Sequence, residues 1–502
     1  MPAKRIQGCR VIRWPIQAAF LALFVFLFLR TRYGVSAAFQ DVFFRFDPLV
    51  LLVTSIALRT VVAAALLGLV LIAGTLLFGR FFCGFACPLG TSIDLFDAAT
   101  RRKAVKGSRL RNGKYLILIF LIVAALVGAS FAGFFDPVVI MGRSLALVFF
   151  PAGTRLVNLL QVTKVARYAE LPIALATWVV ILALGFVASR FWCRNLCPLG
   201  GLLALFAKFS LFRFAFEGRC RDCGICEKVC PTGAITAAKR QIDSAECIDC
   251  LACLSCCPDR SIRYRVRFAP VPFDAGRREA ILALGSGLVL APLAATLIRP
   301  RVSERLIRPP GSIPEPQFLA ACIRCGRCLK ACPTGGLQPC VFEAGVPGLW
   351  TPRLVPRAGP CERNCTMCGQ VCPTSAIRKL PLEEKTFARI GTAVIDRTRC
   401  IAWEQNKVCL ICDETCPYNA IDALRETLRG AALLRPFVNE RYCLGCGACE
   451  SRCPVAGPAA IRVFSAGEDR RRAGSYKAGG KVRQRVCGET PGEDVPSGFI
   501  PE

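Results

Sequence analysis

Within residues 220–258 the chain twice reads C-x2-C-x2-C-x3-C-P, as Cys220, Cys223, Cys226, Cys230 and as Cys247, Cys250, Cys253, Cys257. This is the spacing of bacterial two-cluster ferredoxins, in which the fourth cysteine ligates the other cluster. Crossed ligation predicts one [4Fe-4S] site from Cys220, Cys223, Cys226 and Cys257, and a second from Cys247, Cys250, Cys253 and Cys230. A zinc ribbon would use two separated C-x2-C pairs instead. Four further quartets end in Cys-Pro: Cys322, Cys325, Cys328, Cys332; Cys361, Cys365, Cys368, Cys372; Cys400, Cys409, Cys412, Cys416; and Cys443, Cys446, Cys449, Cys453. The longer first intervals after Cys361 and Cys400 are tolerable, because only the sulfur position is fixed. The same crossing pairs Cys322, Cys325, Cys328, Cys372 with Cys361, Cys365, Cys368, Cys332, and Cys400, Cys409, Cys412, Cys453 with Cys443, Cys446, Cys449, Cys416. Six [4Fe-4S] clusters in three modules are expected.

Four other cysteines lie in a repeat. Arg80-Phe-Phe-Cys-Gly-Phe-Ala-Cys-Pro-Leu-Gly recurs as Arg190-Phe-Trp-Cys-Arg-Asn-Leu-Cys-Pro-Leu-Gly. A C-x3-C pair at i,i+4 puts both sulfurs on one helix face, so Cys83, Cys87, Cys193 and Cys197 could hold one more metal cluster. The alternative is that Cys-Pro-Leu-Gly merely ends a helix and the thiols stay reduced in the cytoplasm. Each repeat also carries Phe-Asp-Pro. Asp47 and Asp136 could accept protons from a quinol, or could be ordinary N-caps followed by proline at the first helical position. Cys256 and Cys340 read as spare thiols, and Trp350 and Trp403 as packing residues.

The elements that position these residues follow from composition. The 502 residues are 54% hydrophobic with positive mean hydropathy, too apolar for a soluble protein with 32 cysteines. Apolar runs at 14–29, 60–78, 115–131 and 173–188 are expected to cross a membrane. The first is an uncut anchor in preference to a signal peptide. Arg101, Arg102, Lys103, Lys106, Arg109, Arg111 and Lys114 place the intervening loop in the cytoplasm, with the N-terminus and the first ferredoxin. Stretches 49–58 and 138–150 are expected to dip into the outer interface without crossing. The hairpins form a duplicated pair.

A fifth run, 280–297, follows Arg277-Arg278, which resembles a twin-arginine export signal and would carry the later modules outside. The net charge of +30 does not argue for nucleic acid. Six clusters at roughly −2 each would lower it to roughly +18, and much of the rest flanks apolar helices. The chain has no histidine and three methionines, which excludes haem held by His or by His and Met.

These motifs carry a resemblance. Residues 1–265 resemble the NapH family of membrane ferredoxin-type proteins, with four spans, two C-x3-C-P-L-G motifs and a trailing two-cluster ferredoxin. Residues 277–465 resemble the NapG/MauM family through the twin arginines, Arg308-Pro-Pro-Gly, the Cys322 quartet and the Cys400-Ile-Ala-Trp motif. The resemblance implies quinol oxidation, with electrons passed to an extracytoplasmic oxidoreductase or electron carrier. The alternative is an outward relay from a cytoplasmic donor that matures or maintains a partner metalloenzyme.

The expected fold class is a multi-pass α-helical membrane domain plus three ferredoxin-like α+β modules. Its expected segments are a membrane domain (1–215), a cytoplasmic ferredoxin (216–268), a fifth transmembrane segment (276–298) and a Pro-rich linker (299–317). Two more ferredoxins (318–380 and 381–465), periplasmic in a bacterial inner-membrane protein, and a disordered tail (466–502) complete the chain.

Overall fold

The structure, a computed structural model, describes residues 3–31, 39–61, 66–100, 109–158, 171–217, 220–266, 285, 303–428 and 431–478. The twin arginines, the run 280–297, the basic residues at 101–106 and the end of the tail lie outside the described residues. The chain forms two compact units. The first comprises Met1–Arg30, Ala38–Arg299 and Ala320–Cys325; the second comprises Thr31–Ala37, Pro300–Leu319 and Gly326–Glu502.

Leu-, Ile- and Ala-rich runs build the helices of the first unit: α1 (Ala3–Leu29), α2 (Pro48–Leu58), α3 (Gly68–Phe78), α4 (Pro88–Ala99), α5 (Gly113–Leu126), α6 (Pro137–Arg155), α7 (Leu171–Ala183) and α8 (Pro198–Ala207). Among the described residues only α6, 19 residues long and passing through a π turn at Leu145–Phe149, is long and apolar enough alone to cross a membrane. The stretch expected to dip without crossing therefore runs longer than predicted: Asp136 caps its start, and Pro151, the second residue of the helical turn that follows the π segment, does not end it. Conversely, α3, α5 and α7 are shorter than their apolar runs. Their outward faces nonetheless expose Leu69, Val70, Leu116, Leu126, Val179 and Val180.

After α8 the first ferredoxin module is closed by strands β1 (Phe212–Phe216) and β2 (Ile262–Val266), paired antiparallel from Phe212 opposite Val266 to Phe216 opposite Ile262. Its core joins Phe214, Ile235 and Ile262 to Cys226, Cys230 and Cys253. This module docks on the helices. Buried Lys114 forms an ion pair with Glu246 at 2.5 Å, Arg80 donates to the Ala245 carbonyl at 2.7 Å, and Ser189 donates to the Pro231 carbonyl at 3.0 Å. Arg111 donates to the carbonyls of Thr232 and Gly233 at 3.1 and 2.8 Å. Some of the basic excess read as a topology signal thus holds the docking surface together. Glu246→Ala strands two buried cations and should cost about 3 kcal/mol. Amide exchange of residues 245–250 should quicken by about 100-fold, and unchanged exchange would contradict this account.

In the second unit, strands β3 (Thr392–Ile395) and β4 (Ile461–Phe464) pair antiparallel, and a long hairpin (Ile421–Leu428 with Ala431–Val438) projects between cysteine turns. Two expectations need correction here. The described part of the Pro-rich linker is packed, with Leu306 fully buried beside Cys340 and Ala344, and with β-bridges from Ile307 to Leu354 and from Ser312 to Ile377. Its anchor is Arg308, whose guanidinium forms an ion pair with Glu315 at 2.5 Å, donates to Thr351 and to the Pro352 carbonyl, and lies over Phe318 at 4.6 Å. The start of the tail, to residue 478, is also ordered. Tyr476 is fully buried against Leu380 and Ala388, and Arg470 reaches Glu315 at 2.5 Å. One aromatic anchor and paired charges overcome the polar composition.

Candidate metal centres and their surroundings

Four spaces among the described residues are each lined by four cysteines. One of about 340 Å³ is bordered by Cys220, Cys223, Cys226 and Cys257. One of about 380 Å³ is bordered by Cys332, Cys361, Cys365 and Cys368. The others, about 360 and 330 Å³, are bordered by Cys400, Cys409, Cys412 and Cys453, and by Cys416, Cys443, Cys446 and Cys449. In every case three cysteines of one quartet meet the Cys-Pro cysteine of another, the crossing the spacing predicts. Cys250 and Cys253 lie within electrostatic reach of Cys230, and Cys247 within reach of Cys250 and Cys253. Of the remaining set, Cys322 and Cys325 belong to the first unit and Cys328 and Cys372 to the second.

Short helices start within each C-x2-C-x2-C run and stop at the Cys-Pro turn, as Ile225–Val229 and Ala252–Cys256 do, so the sulfurs curl round one space. The Cys-Pro sulfurs also accept backbone N–H groups four residues on: Ala234 to Cys230 at 3.3 Å, Ser261 to Cys257 at 3.3 Å and Ala420 to Cys416 at 3.4 Å. Such bonds tune cluster potentials. Among the described residues no three His, Cys, Asp or Glu side chains converge as the ligands of a single ion would. Burial pushes the Cys412 thiol up to about 12 and raises Cys253, Cys368 and Cys446 as well. Metal-free thiols there are protonated at neutral pH, and ligation must release those protons. Of the spare thiols, Cys340 is core. Trp403 packs between the guanidiniums of Arg397 and Arg435, at 4.2 and 4.8 Å.

The repeat cysteines are not on continuous helix faces. Cys83 lies in the π turn Phe82–Ala86 and Cys193 in the helix Phe191–Asn195, whereas Cys87 and Cys197 are extended N-caps of α4 and α8, each followed by proline. Cys-Pro-Leu-Gly thus begins a helix where the sequence suggested an end. The Cys87 and Cys197 sulfurs accept the Gly90 and Gly200 N–H groups at 3.4 and 3.3 Å. The two turns nevertheless bring all four thiols within electrostatic reach of one another.

Sequence reasoning missed the arginines that open the motifs, although their equivalent positions in both repeats were the available signal. They cross between repeats. Arg190 donates to the Cys83 carbonyl at 2.9 Å and approaches the Gly90 carbonyl at 3.5 Å, while a methyl group at Gly200 would stand 2.8 Å from the Arg80 guanidinium. Asp94 grips Arg190 with two bonds of 2.6 Å, and also binds Arg13 and, at 2.8 Å, Gln17 of α1. Burial opposes its ionisation, but Arg190 and Arg13 hold the carboxyl below the usual range.

At the other end of the hairpins, Asp47 and Asp136 are N-caps, as the plainer reading held. The Oδ1 of Asp47 accepts from Leu49 and Val50, and that of Asp136 from Val138 and Val139. The structure adds that the two carboxyls are buried within electrostatic reach of each other, each with its Oδ2 left without a hydrogen-bond partner among the described residues. Near this end the first unit also holds Ala320–Cys325: Arg324 donates to the Ser130 carbonyl at 3.0 Å and lies over Phe134 at 4.7 Å.

Cysteine-lined spaces on ferredoxin-like turns define an iron–sulfur electron-transfer protein. A 4Fe-4S binding domain model matches residues 60–106 and 171–217, a second such model matches 216–236, and a 4Fe-4S dicluster domain model matches 407–456. The chain belongs to the MauM/NapG family of ferredoxin-type proteins. It is 38% identical to the methylamine utilization ferredoxin-type protein MauM of Paracoccus denitrificans over 38% of this chain and 84% of the relative. It is 39% identical to MauM of Methylorubrum extorquens over 90% of that protein, again 38% of this chain, and 36% identical to the ferredoxin-type protein NapG of Escherichia coli over 33% of this chain and 72% of the relative.

Proposed function

We propose that the chain is a fusion of a NapH-like membrane part with a NapG/MauM-like polyferredoxin, taking electrons from membrane quinol and delivering them to an extracytoplasmic oxidoreductase. The observation that carries this reading is in the first unit, where apolar helices end in sulfur-bearing turns against which a ferredoxin module is docked. Helices with outward apolar faces suit lipid and a quinol pool, and the anchoring of α1 through Arg13 and Gln17 favours a retained N-terminal helix. The N-terminus and first ferredoxin are assigned to the cytoplasm, and the modules beyond residue 299 to the periplasm.

Six [4Fe-4S] clusters, held by the 24 cysteines in crossed quartets, supply one-electron steps when bound. The chain's own residues do the rest: apolar linings exclude water, backbone N–H groups set the sulfur electrostatics, and Asp47 with Asp136 receives the protons. Oxidation of one quinol releases two electrons and two protons, so the carboxyl pair must pass protons onward between electron steps. Cys322 and Cys325, in the same unit as the carboxyl pair, suit them to receive electrons there.

The docked ferredoxin also favours the second reading, an outward relay from a cytoplasmic donor. Anaerobic reconstituted protein mixed with a soluble quinol analogue, followed by EPR, separates the two. Reduction of the clusters by quinol, slowed about 100-fold in Asp136→Asn at unchanged iron content, is expected. If quinol reduces no cluster while reduced ferredoxin reduces them all, the relay reading replaces this one.

A further inference from the structure

We propose that Arg143 is the residue through which the helices of the first unit raise the reduction potential of the cluster ligated by Cys322 and Cys325, and that they do so from a seat built for that cysteine loop. This rests on the electron-transfer reading above but not on quinol as the donor.

The seat repeats a contact made at the other end of the same helices. There the loop Cys247-Ile-Asp-Cys250 rests on the first sulfur turn so closely that a methyl group at Gly84 would overlap the Ile248 carbonyl. The loop Cys322-Ile-Arg-Cys325 rests in the same way on the turn Ala132–Phe135, where a methyl group at Gly133 would overlap the Ile323 carbonyl. One at Gly142 of α6 would stand 3.7 Å from the Cys325 carbonyl. In both loops the group that touches is the carbonyl of the isoleucine after the first cysteine.

The backbone of the Cys322 loop fits a cluster. Arg324, before the second cysteine, is left-handed at a φ of 61°, as are Asp249 at 53° in the Cys247 loop and Asp222 at 50° in the loop bordering the space of about 340 Å³. The run then enters a short helix, Arg327–Ala331, that stops at Cys332-Pro as in the first ferredoxin.

Arg143 braces this seat. Its Nη1 donates to the Gly133 carbonyl at 2.8 Å, behind the residue on which Ile323 rests. The side chain is 1% exposed, in the one described helix long and apolar enough to cross a membrane, where burying an arginine is costly and points to function. Arg324 supplies a second cation, donating to the Ser130 and Cys322 carbonyls at 3.0 and 3.1 Å, but it travels with the loop. Arg143 belongs to the helices, so its charge acts on the cluster only while the loop is seated. Reduction adds one electron, and with it one negative charge, to the cluster; a buried cation beside it favours the reduced form. The same seat keeps the electron acceptor close to Asp136, which caps α6 just after Gly133.

The test is an EPR-monitored potentiometric titration of the full chain, reconstituted anaerobically, with the relevant signal identified as the one missing from Cys322→Ala. In Arg143→Gln at unchanged iron content, the reduction equilibrium of that cluster should fall about tenfold, which is about 59 mV for one electron, with the other signals in place. Arg143→Lys, which keeps the charge, should lie nearer wild type. No shift in Arg143→Gln overturns the proposal, and an equal shift in Arg143→Lys overturns the role of charge. Should Arg143→Gln lose iron, Gly133→Ala decides the matter, since it leaves every charge and ligand in place but must push the loop from its seat. The same signal should then fall and amide exchange at 320–325 should quicken; wild-type exchange in that variant overturns the seat. A shifted potential in protein that quinol does not reduce would count against the donor alone.

Discussion

Asp94→Asn should open the sulfur turns. The carboxylate holds Arg190 through two bonds and Arg13 through one, and all three groups are largely withdrawn from water. An amide keeps the shape but leaves a buried guanidinium without its counter-charge, a loss of about 3 kcal/mol or more and so a rise of about 100-fold in the open population. Arg190 also sits at a φ of 50°, and its backbone N–H donates to Asp97 at 3.0 Å. That left-handed turn depends on its surroundings for support.

Hydrogen exchange at 80–87 and 190–197, and alkylation of Cys83 and Cys193, should both quicken. Arg13→Ala, which removes the more peripheral cation, should do so less. Exchange rates unaltered in Asp94→Asn would refute this role. Because the native carboxyl ionises below its ordinary value, the stabilisation it provides is present above about pH 4 and is lost as pH falls through the native pKa.

Arg308→Ala should be the most damaging substitution in the second unit. The side chain is fully buried and binds Glu315, Thr351 and the Pro352 carbonyl, so truncation removes an ion pair, two hydrogen bonds and the face that covers Phe318. A loss of about 3–5 kcal/mol follows for breaking such a pair. Arg308→Lys should rescue little, since an ammonium cannot reproduce the fork. Burial opposes ionisation of Glu315, but the bonds from Arg308 and Arg470 hold its carboxyl below the usual glutamate range, so this pair too weakens as pH falls below that range. Denaturant unfolding of the holoprotein, followed by loss of cluster absorbance, should begin at markedly lower denaturant in Arg308→Ala. An unchanged midpoint would show that the contacts are incidental.

The cysteine-lined spaces were legible in the sequence because a cluster dictates ligand spacing locally, and the Cys-Pro turn marks the crossed ligand. The Asp-Pro caps were legible for the same reason. What the sequence hid was long-range. Composition marks residues 303–317 as a spacer, but Arg308 finds Glu315 and Thr351 only once the chain has folded. Helix lengths in the first unit also differed from apolar run lengths, since hydropathy does not register a π turn or a cap. The i,i+4 rule misplaced Cys87 and Cys197 because proline at the next position starts a new helix.

The two copies of the repeat differ at one position in a way that decides where the ferredoxin backbone can approach. Where the first motif has Gly84, against which the Ile248 carbonyl rests, the second has Arg194, a large buried side chain. Close backbone approach needs a residue without a side chain, so Gly84 admits the Ile248 carbonyl while Arg194 bars the same approach at the equivalent position. The two sulfur-bearing turns are thus equivalent in their cysteines and unequal in what can rest against them.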